Sequence, residues 1–241
     1  MVSAQQGPRA RYREQTRSEI KDTALRQLAE SGVGALALTR IAKEMGLSGP
    51  ALYRYFASRD DLLSALIRDA YDDAATAVAA AAAEASADSQ GPRGRLRALA
   101  TAYRAWAVAE PHRYLLIQGA PVPGYVAPDD TRDRARAVLG PFLAVFAEGD
   151  PGTEVGVLVA EMAAWLATDE AVGAWVAEYV ADAAGDTAGP ARALAGAVLV
   201  WAQLHGSVGL EAAGQFAGMG HHGDTLLATQ MGLLADAFAL S

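Results

Sequence analysis

The chain has 241 residues, 52% of them hydrophobic and 20% charged. That is enough for a sizeable core and too apolar for a disordered segment. It has no cysteine, which excludes a disulfide framework, a Cys-based zinc site, an iron–sulfur cluster and a Cys nucleophile. The formal net charge of −8 argues against a nucleic-acid partner until it is divided: residues 1–68 hold 11 Lys+Arg against 7 Asp+Glu, a net of +4, and residues 69–241 carry −12. A basic segment joined to an acidic one is the pattern of a nucleic-acid module attached to something else.

Taken in chain order, residues 1–11 read as a polar, flexible arm without the apolar stretch of a secretion signal, so the expected location is the cytoplasm. No segment alternates as a strand does, and apolar residues recur at helical spacing almost throughout. The reading is all-α, with helices over 12–31, 39–45, 49–56, 59–86, 92–109, 111–118, 130–147, 153–167, 171–184, 190–213 and 223–239. Pro and Gly clusters punctuate them. Two domains are expected, 1–68 and 69–241. The uncharged run from Ala193 to Leu210 is borderline in length for a membrane span. It carries Gln203, His205 and Ser207, so it reads as a core or interface helix, and no membrane partner is expected.

Residues 12–68 are the most informative. Ile20, Ala24, Leu25 and Leu28 share one face of the first helix, and Leu38, Ile41, Ala42 and Met45 share one face of the second. Thr39 stands where an N-cap belongs, and Gly46 supplies a left-handed stop. Ser48 caps a very short third helix with Pro50 in its first turn. Ser58-Arg59-Asp60-Asp61 opens a long helix as a capping box. Helix, tight turn, short helix, with a supporting helix on either side, is a helix-turn-helix. Small residues Gly49 and Ala51 let the short helix approach closely. Arg54 can reach a guanine edge, and the hydroxyls of Tyr53 and Tyr55 can donate to phosphates. Arg40 opens the second helix, whose N-terminus already suits an anion. Tyr53, Tyr55 and Phe56 cannot all face inward, so some aromatic surface is left for a partner.

Thr39-Arg40-Ile41-Ala42, Met45-Gly46-Leu47-Ser48, Ala51-Leu52-Tyr53-Arg54-Tyr55-Phe56, and then Arg59 with Leu62-Leu63, resemble the TetR family of bacterial transcriptional regulators. The resemblance implies an N-terminal three-helix DNA-binding domain joined to a larger helical domain that binds a small effector and dimerises. It implies phosphate contacts from Thr39, Tyr53, Tyr55 and Arg59, and base-facing positions for Arg40, Gly49, Pro50, Ala51 and Arg54. The expected partner is double-stranded operator DNA, and the expected role is a repressor released by its effector.

Beyond residue 86 the resemblance is looser. Trp201, His205-Gly206 and Leu210-Glu211 are similar to a Trp-His-Gly signature of one subgroup of TetR effector domains. All four Trp and all four His lie in this half, and apolar pockets with a few polar groups are typical small-molecule sites. Candidate lining residues are Tyr103, Trp106, Tyr114, Gln118, Phe142, Phe146, Met162, Trp165, Trp201 and His205. For any one of them ordinary core packing competes with that role. His221 and His222 are adjacent, a poor spacing for joint metal ligation. No metal, cofactor or catalytic constellation is expected. Helices 190–213 and 223–239, lined by Leu194, Val198, Trp201, Leu227, Met231, Leu234 and Phe238, are the expected homodimer surface, forming a two-fold four-helix bundle.

Overall fold

The computed structural model describes residues 7–118, 124–180 and 188–241. Among these it forms α-helices and two short 3-10 turns, and no strand. The helices are α1 Pro8–Ser31, α2 Leu38–Glu44, α3 Gly49–Tyr53, α4 Arg59–Ala87, α5 Pro92–Ala109, α6 Pro111–Gln118, α7 Asp130–Ala147, α8 Gly156–Thr168, α9 Glu170–Ala177, α10 Gly189–Ala212 and α11 Gly223–Ala237. They divide into two compact units, residues 1–69 with 119–128, and residues 70–118 with 129–241. Helix α4 runs from the first into the second.

In the first unit α1 begins at Pro8, so residues 8–11, expected in a flexible arm, are helical. Gly7 is extended and Pro8 occupies the first turn, where its missing N–H costs nothing. Thr39 does not cap α2. The cap position is Ala37, extended at φ −138°, because the chain has already turned in before the helix opens at Leu38. Ser48 does cap α3, accepting from the Ala51 N–H at 3.3 Å. Ser58 Oγ accepts from Asp61 N–H at 3.0 Å, and the Asp61 carboxylate reaches back to Ala57 N–H at 2.9 Å. Ile20, Ile41, Leu52, Phe56, Leu62 and Leu63 are fully buried and form the shared core of α1 to α4. Arg17 locks the α3 end from outside: it donates to the Tyr55 carbonyl at 2.7 Å and lies 4.1 Å over the Phe56 ring.

In the second unit α10 is the central helix and packs on α5, α6, α7, α8, α9 and α11. Gly196 allows the closest of these approaches, since a Cβ there would fall inside the Phe146 ring of α7. Phe146 in turn meets Phe238 edge-on at 4.8 Å. Truncating so buried a ring would cost about 3–5 kcal/mol. Helix α10 is long and apolar enough to cross a membrane, but 56% of its apolar window is buried inside the chain. The expected helix over 171–184 ends at Ala177, and residues 181–184 lie outside the described residues.

One expectation about assembly is corrected here. Leu194, Leu227, Met231, Leu234 and Phe238 do not face outward. They are buried within their own chain, because α11 lays its apolar stripe on α5 and α10. Val198 and Trp201 alone of that set keep exposed surface.

Candidate DNA-reading surface and effector site

The turn between α2 and α3 is made by Gly46, at φ 66°, with the Leu47 N–H closing back to the Ala42 carbonyl at 2.8 Å. That geometry needs a residue without a Cβ penalty. It presents Thr39, Arg40, Ser48, Pro50, Tyr53 and Arg54 as exposed side chains, with Gly49, Ala51 and Tyr55 half-buried beside them. Tyr53 is 51% exposed while Phe56 is fully buried, which resolves the crowded aromatics of α3 into one outward and one inward ring.

The basic side chains of this surface differ in availability. Arg54 is exposed and no partner engages it among the described residues. Arg40 is held by two carboxylates, Glu30 at 2.7 Å and Glu44 at 3.0 Å. Both pairs are solvent-exposed, where ion pairs hold weakly. Arg59, expected at a phosphate, is also bonded within the chain. Its guanidinium donates to the carbonyls of Val33 at 2.8 Å and Leu36 at 3.2 Å and pairs with Asp60 at 3.3 Å. It pins the start of α4 to the 3-10 turn before α2, adding a second donor to the Val33 carbonyl, which already accepts from the Leu36 N–H at 3.3 Å, and one to the Leu36 carbonyl.

The ten candidate effector residues separate into three places. Tyr103 and Trp106 of α5, Tyr114 of α6, and Trp201 and His205 of α10 form one cluster. Tyr103 lies 5.9 Å from Trp106, 6.0 Å from Tyr114 and 6.2 Å from Trp201 by ring centroids. Trp201 and His205 are 3.8 Å apart. Gln118 closes one end by donating to the His205 carbonyl at 3.3 Å. Phe142 and Phe146 are fully buried in α7, with Phe146 packed on Phe238 away from the cluster. Met162 packs against the α7, α9 and α10 core, and Trp165 is 40% exposed, its indole N–H reaching Asp169 at 3.4 Å.

Burial sets the charge state of the cluster. It raises the Tyr103 and Tyr114 hydroxyls above their ordinary range. It lowers His205 to about 4, with the Trp201 carbonyl pulling the other way. All three are neutral at neutral pH. Beside the cluster α5 and α10 are joined by a bidentate pair, Arg104 to Glu211 at 2.7 and 2.5 Å.

Two contacts were not legible in the sequence. Arg113, next to Tyr114 on α6, pairs with Asp73 of α4, and Arg134 of α7 pairs with Asp72. Adjacent carboxylates on α4 are thereby gripped by the two helices that flank residues 119–128. Among the described residues no three His, Asp or Glu side chains gather as a metal site.

This arrangement of a helix-turn-helix unit and a larger helical unit has known relatives. Residues 20–66 match the family model for bacterial regulatory proteins of the tetR family, and residues 96–234 match the tetracyclin repressor-like C-terminal domain. The chain belongs to the TetR family.

Among curated TetR-type relatives, the HTH-type transcriptional regulator Rv1816 of Mycobacterium tuberculosis is 42% identical over 144 residues, covering 59% of this chain. The match spans 61% of that relative's length. The crystal structure of the regulatory protein SCO4313 superposes with a TM-score of 0.75 at 41% identity, covering 95% of this chain and all of that one. FadR from Bacillus subtilis, solved in complex with stearoyl-CoA, shares the fold at a TM-score of 0.55 and 14% identity, over 91% of this chain and 98% of that one. The TetR match accounts for the division of labour: the first model spans the helix-turn-helix core, and the second runs from α5 into α11.

Proposed function

We propose that this TetR-family chain is a homodimeric, cytoplasmic repressor that leaves its operator when a small, mostly apolar effector binds. Thr39, Tyr53 and Tyr55 contact phosphates. Arg54 reads a base edge from the exposed side of α3, with Gly49, Pro50 and Ala51 allowing close approach and Arg40 exchanging its carboxylates for DNA. The observation that carries the effector reading is the Tyr103–Trp106–Tyr114–Trp201–His205 cluster, one helix of which grips α4. An effector that displaces Tyr114 moves α6, and Arg113 passes that movement to Asp73 on the helix that opens at the DNA-binding unit. A protein of the same fold was solved holding stearoyl-CoA, which supports a ligand-binding reading.

The dimer forms through the outward faces of α8 and α10. Helix α8 carries a single charge, Glu161, and none of its residues is buried. On α10, Val198, Ala202, Gly206 and Leu210 recur every fourth residue and are all exposed, within the uncharged run. A Cβ at Gly206 would meet nothing in its own chain, yet a mid-helix glycine costs about 1 kcal/mol relative to alanine. A second copy crossing near Gly206 supplies the reason, and two-fold pairing gives an operator its two reading heads.

Selection of bound fragments from a genomic pool tests the assignment. Enrichment of a short inverted repeat is expected, and failure to enrich any sequence overturns it.

A further inference from the structure

Three side chains of the aromatic cluster end in polar atoms that are buried and have no hydrogen-bond partner among the described residues: Tyr103 Oη, Trp106 Nε1 and Tyr114 Oη. Tyr103 and Tyr114 are themselves fully buried. Buried polar atoms in folded proteins are nearly always paired, so three orphans carried by rings of one cluster call for a partner beyond the described residues. Resting on the effector reading above, we infer that the cluster takes an uncharged, flat aromatic molecule bearing carbonyl or other oxygen acceptors, and discriminates against organic ions of either sign.

The chemistry follows from the inventory of groups. The indole N–H of Trp106 can only donate, so the occupant must offer it an acceptor. The two phenols can donate as well, which suits a second oxygen. The rings present π faces at tilted and edge-on angles, against which a flat ring stacks at offset or T-shaped geometry. An anion finds no counter-ion, because Arg104, the cation that α5 contributes nearby, is closed on both oxygens of Glu211. A cation is drawn to aromatic faces in general. Here Glu211 is spent on Arg104, and the buried Trp106 N–H, a donor only, offers a cation nothing. Any ion left unpaired in so dry a place is strongly disfavoured.

A matched series on one ring system tests this with the full-length protein: 1-acetonaphthone, naphthalene, 1-naphthoate and 1-naphthyltrimethylammonium, by titration calorimetry. The ketone is expected to bind about tenfold tighter than naphthalene, one good hydrogen bond in a buried site, and tighter than both ions. Trp106→Phe should bring the ketone down to the affinity of naphthalene while naphthalene binding and the helical circular dichroism persist, which separates a lost hydrogen bond from a lost fold. The Trp106 indole N–H resonance, assigned from its absence in that variant, should shift with the ketone and not with naphthalene. Tighter binding of either ion, no binding of any member, or a ketone advantage that survives Trp106→Phe each overturns the inference. Operator binding, measured separately without ligand, reports on the regulator reading and is independent of all of these outcomes.

Discussion

The hydroxyl of Tyr125 lies 3.0 Å from that of Ser64. Ser64 is buried on α4, and Tyr125 belongs to the stretch that leaves α6 and returns to α7. The stretch that follows α6 is therefore bonded to α4. Tyr125→Phe removes one hydrogen bond and leaves the Ser64 hydroxyl without it, an expected loss of about 0.5–1.5 kcal/mol. Hydrogen exchange should show faster opening around Ser64, and unchanged protection there would show that the bond contributes nothing.

Arg54 and Arg59 should behave as different kinds of arginine. Arg54→Ala should lower operator affinity by about 1–3 kcal/mol and relax preference at the base it contacts, with an unchanged melting temperature. Arg59→Ala takes a charged donor from the carbonyls of Val33 and Leu36, of which Val33 keeps the Leu36 N–H, and should destabilise the DNA-binding unit by about 1–3 kcal/mol. Binding isotherms across salt concentrations, alongside thermal melts, separate the two. A flattened salt dependence for Arg59→Ala with no loss of stability would return that residue to the phosphate backbone.

Val198 and Leu210 are 37% and 48% exposed, whereas Leu234 is 4% exposed. Val198→Glu with Leu210→Glu should therefore give folded monomers, because the charges fall on the apolar face proposed to meet a second copy. Leu234→Glu should instead unfold the second unit, since it places a charge in the core between α11 and its neighbours. Sedimentation and circular dichroism on both variants decide this. A dimer that survives the first pair of changes places the interface elsewhere.

The Arg113–Asp73 pair should carry coupling rather than affinity. Asp73→Asn removes a pair that is partly solvent-exposed and worth about 0–1 kcal/mol in stability. Ligand affinity without DNA should be retained, while the factor by which ligand weakens operator binding falls. Linkage requires the reciprocal factor, DNA on ligand, to fall equally. Full coupling in the variant would mean that another route joins the effector cluster to α4.

His205 has a signed consequence for stability. Burial lowers it to about 4 in the folded chain from an ordinary value of 6.5. Between those values the unfolded chain takes up a proton that the folded chain refuses, so stability is fully present above about pH 6.5 and falls as pH drops toward 4. Denaturant unfolding from pH 7 to pH 4 should show this loss, and His205→Gln should remove its share of the slope. An identical slope in the variant would assign the loss to other groups.

The sequence by itself determined the all-α class, most helix spans and the reading head. Those features rest on local relations: the four-residue recurrence of Ile20, Ala24 and Leu28, a Gly that turns the chain at 46, a Ser that caps at 48 and at 58. It also collected Tyr103, Trp106, Tyr114, Trp201 and His205 as candidates, because large aromatics with polar tips stand out in an alanine-rich chain. Only the tertiary structure decided which of ten candidates meet. Phe146 is a large aromatic as well, but α7 turns it toward Gly196 and Phe238. The same holds for assembly. The apolar stripes of α10 and α11 look alike in sequence, and whether such a stripe meets its own chain or another depends on neighbours far away along the chain. Arg59 and Arg113 show the limit most clearly. An arginine reads as a surface cation wherever it stands, and its work is set by which carbonyl or carboxylate the fold brings within reach.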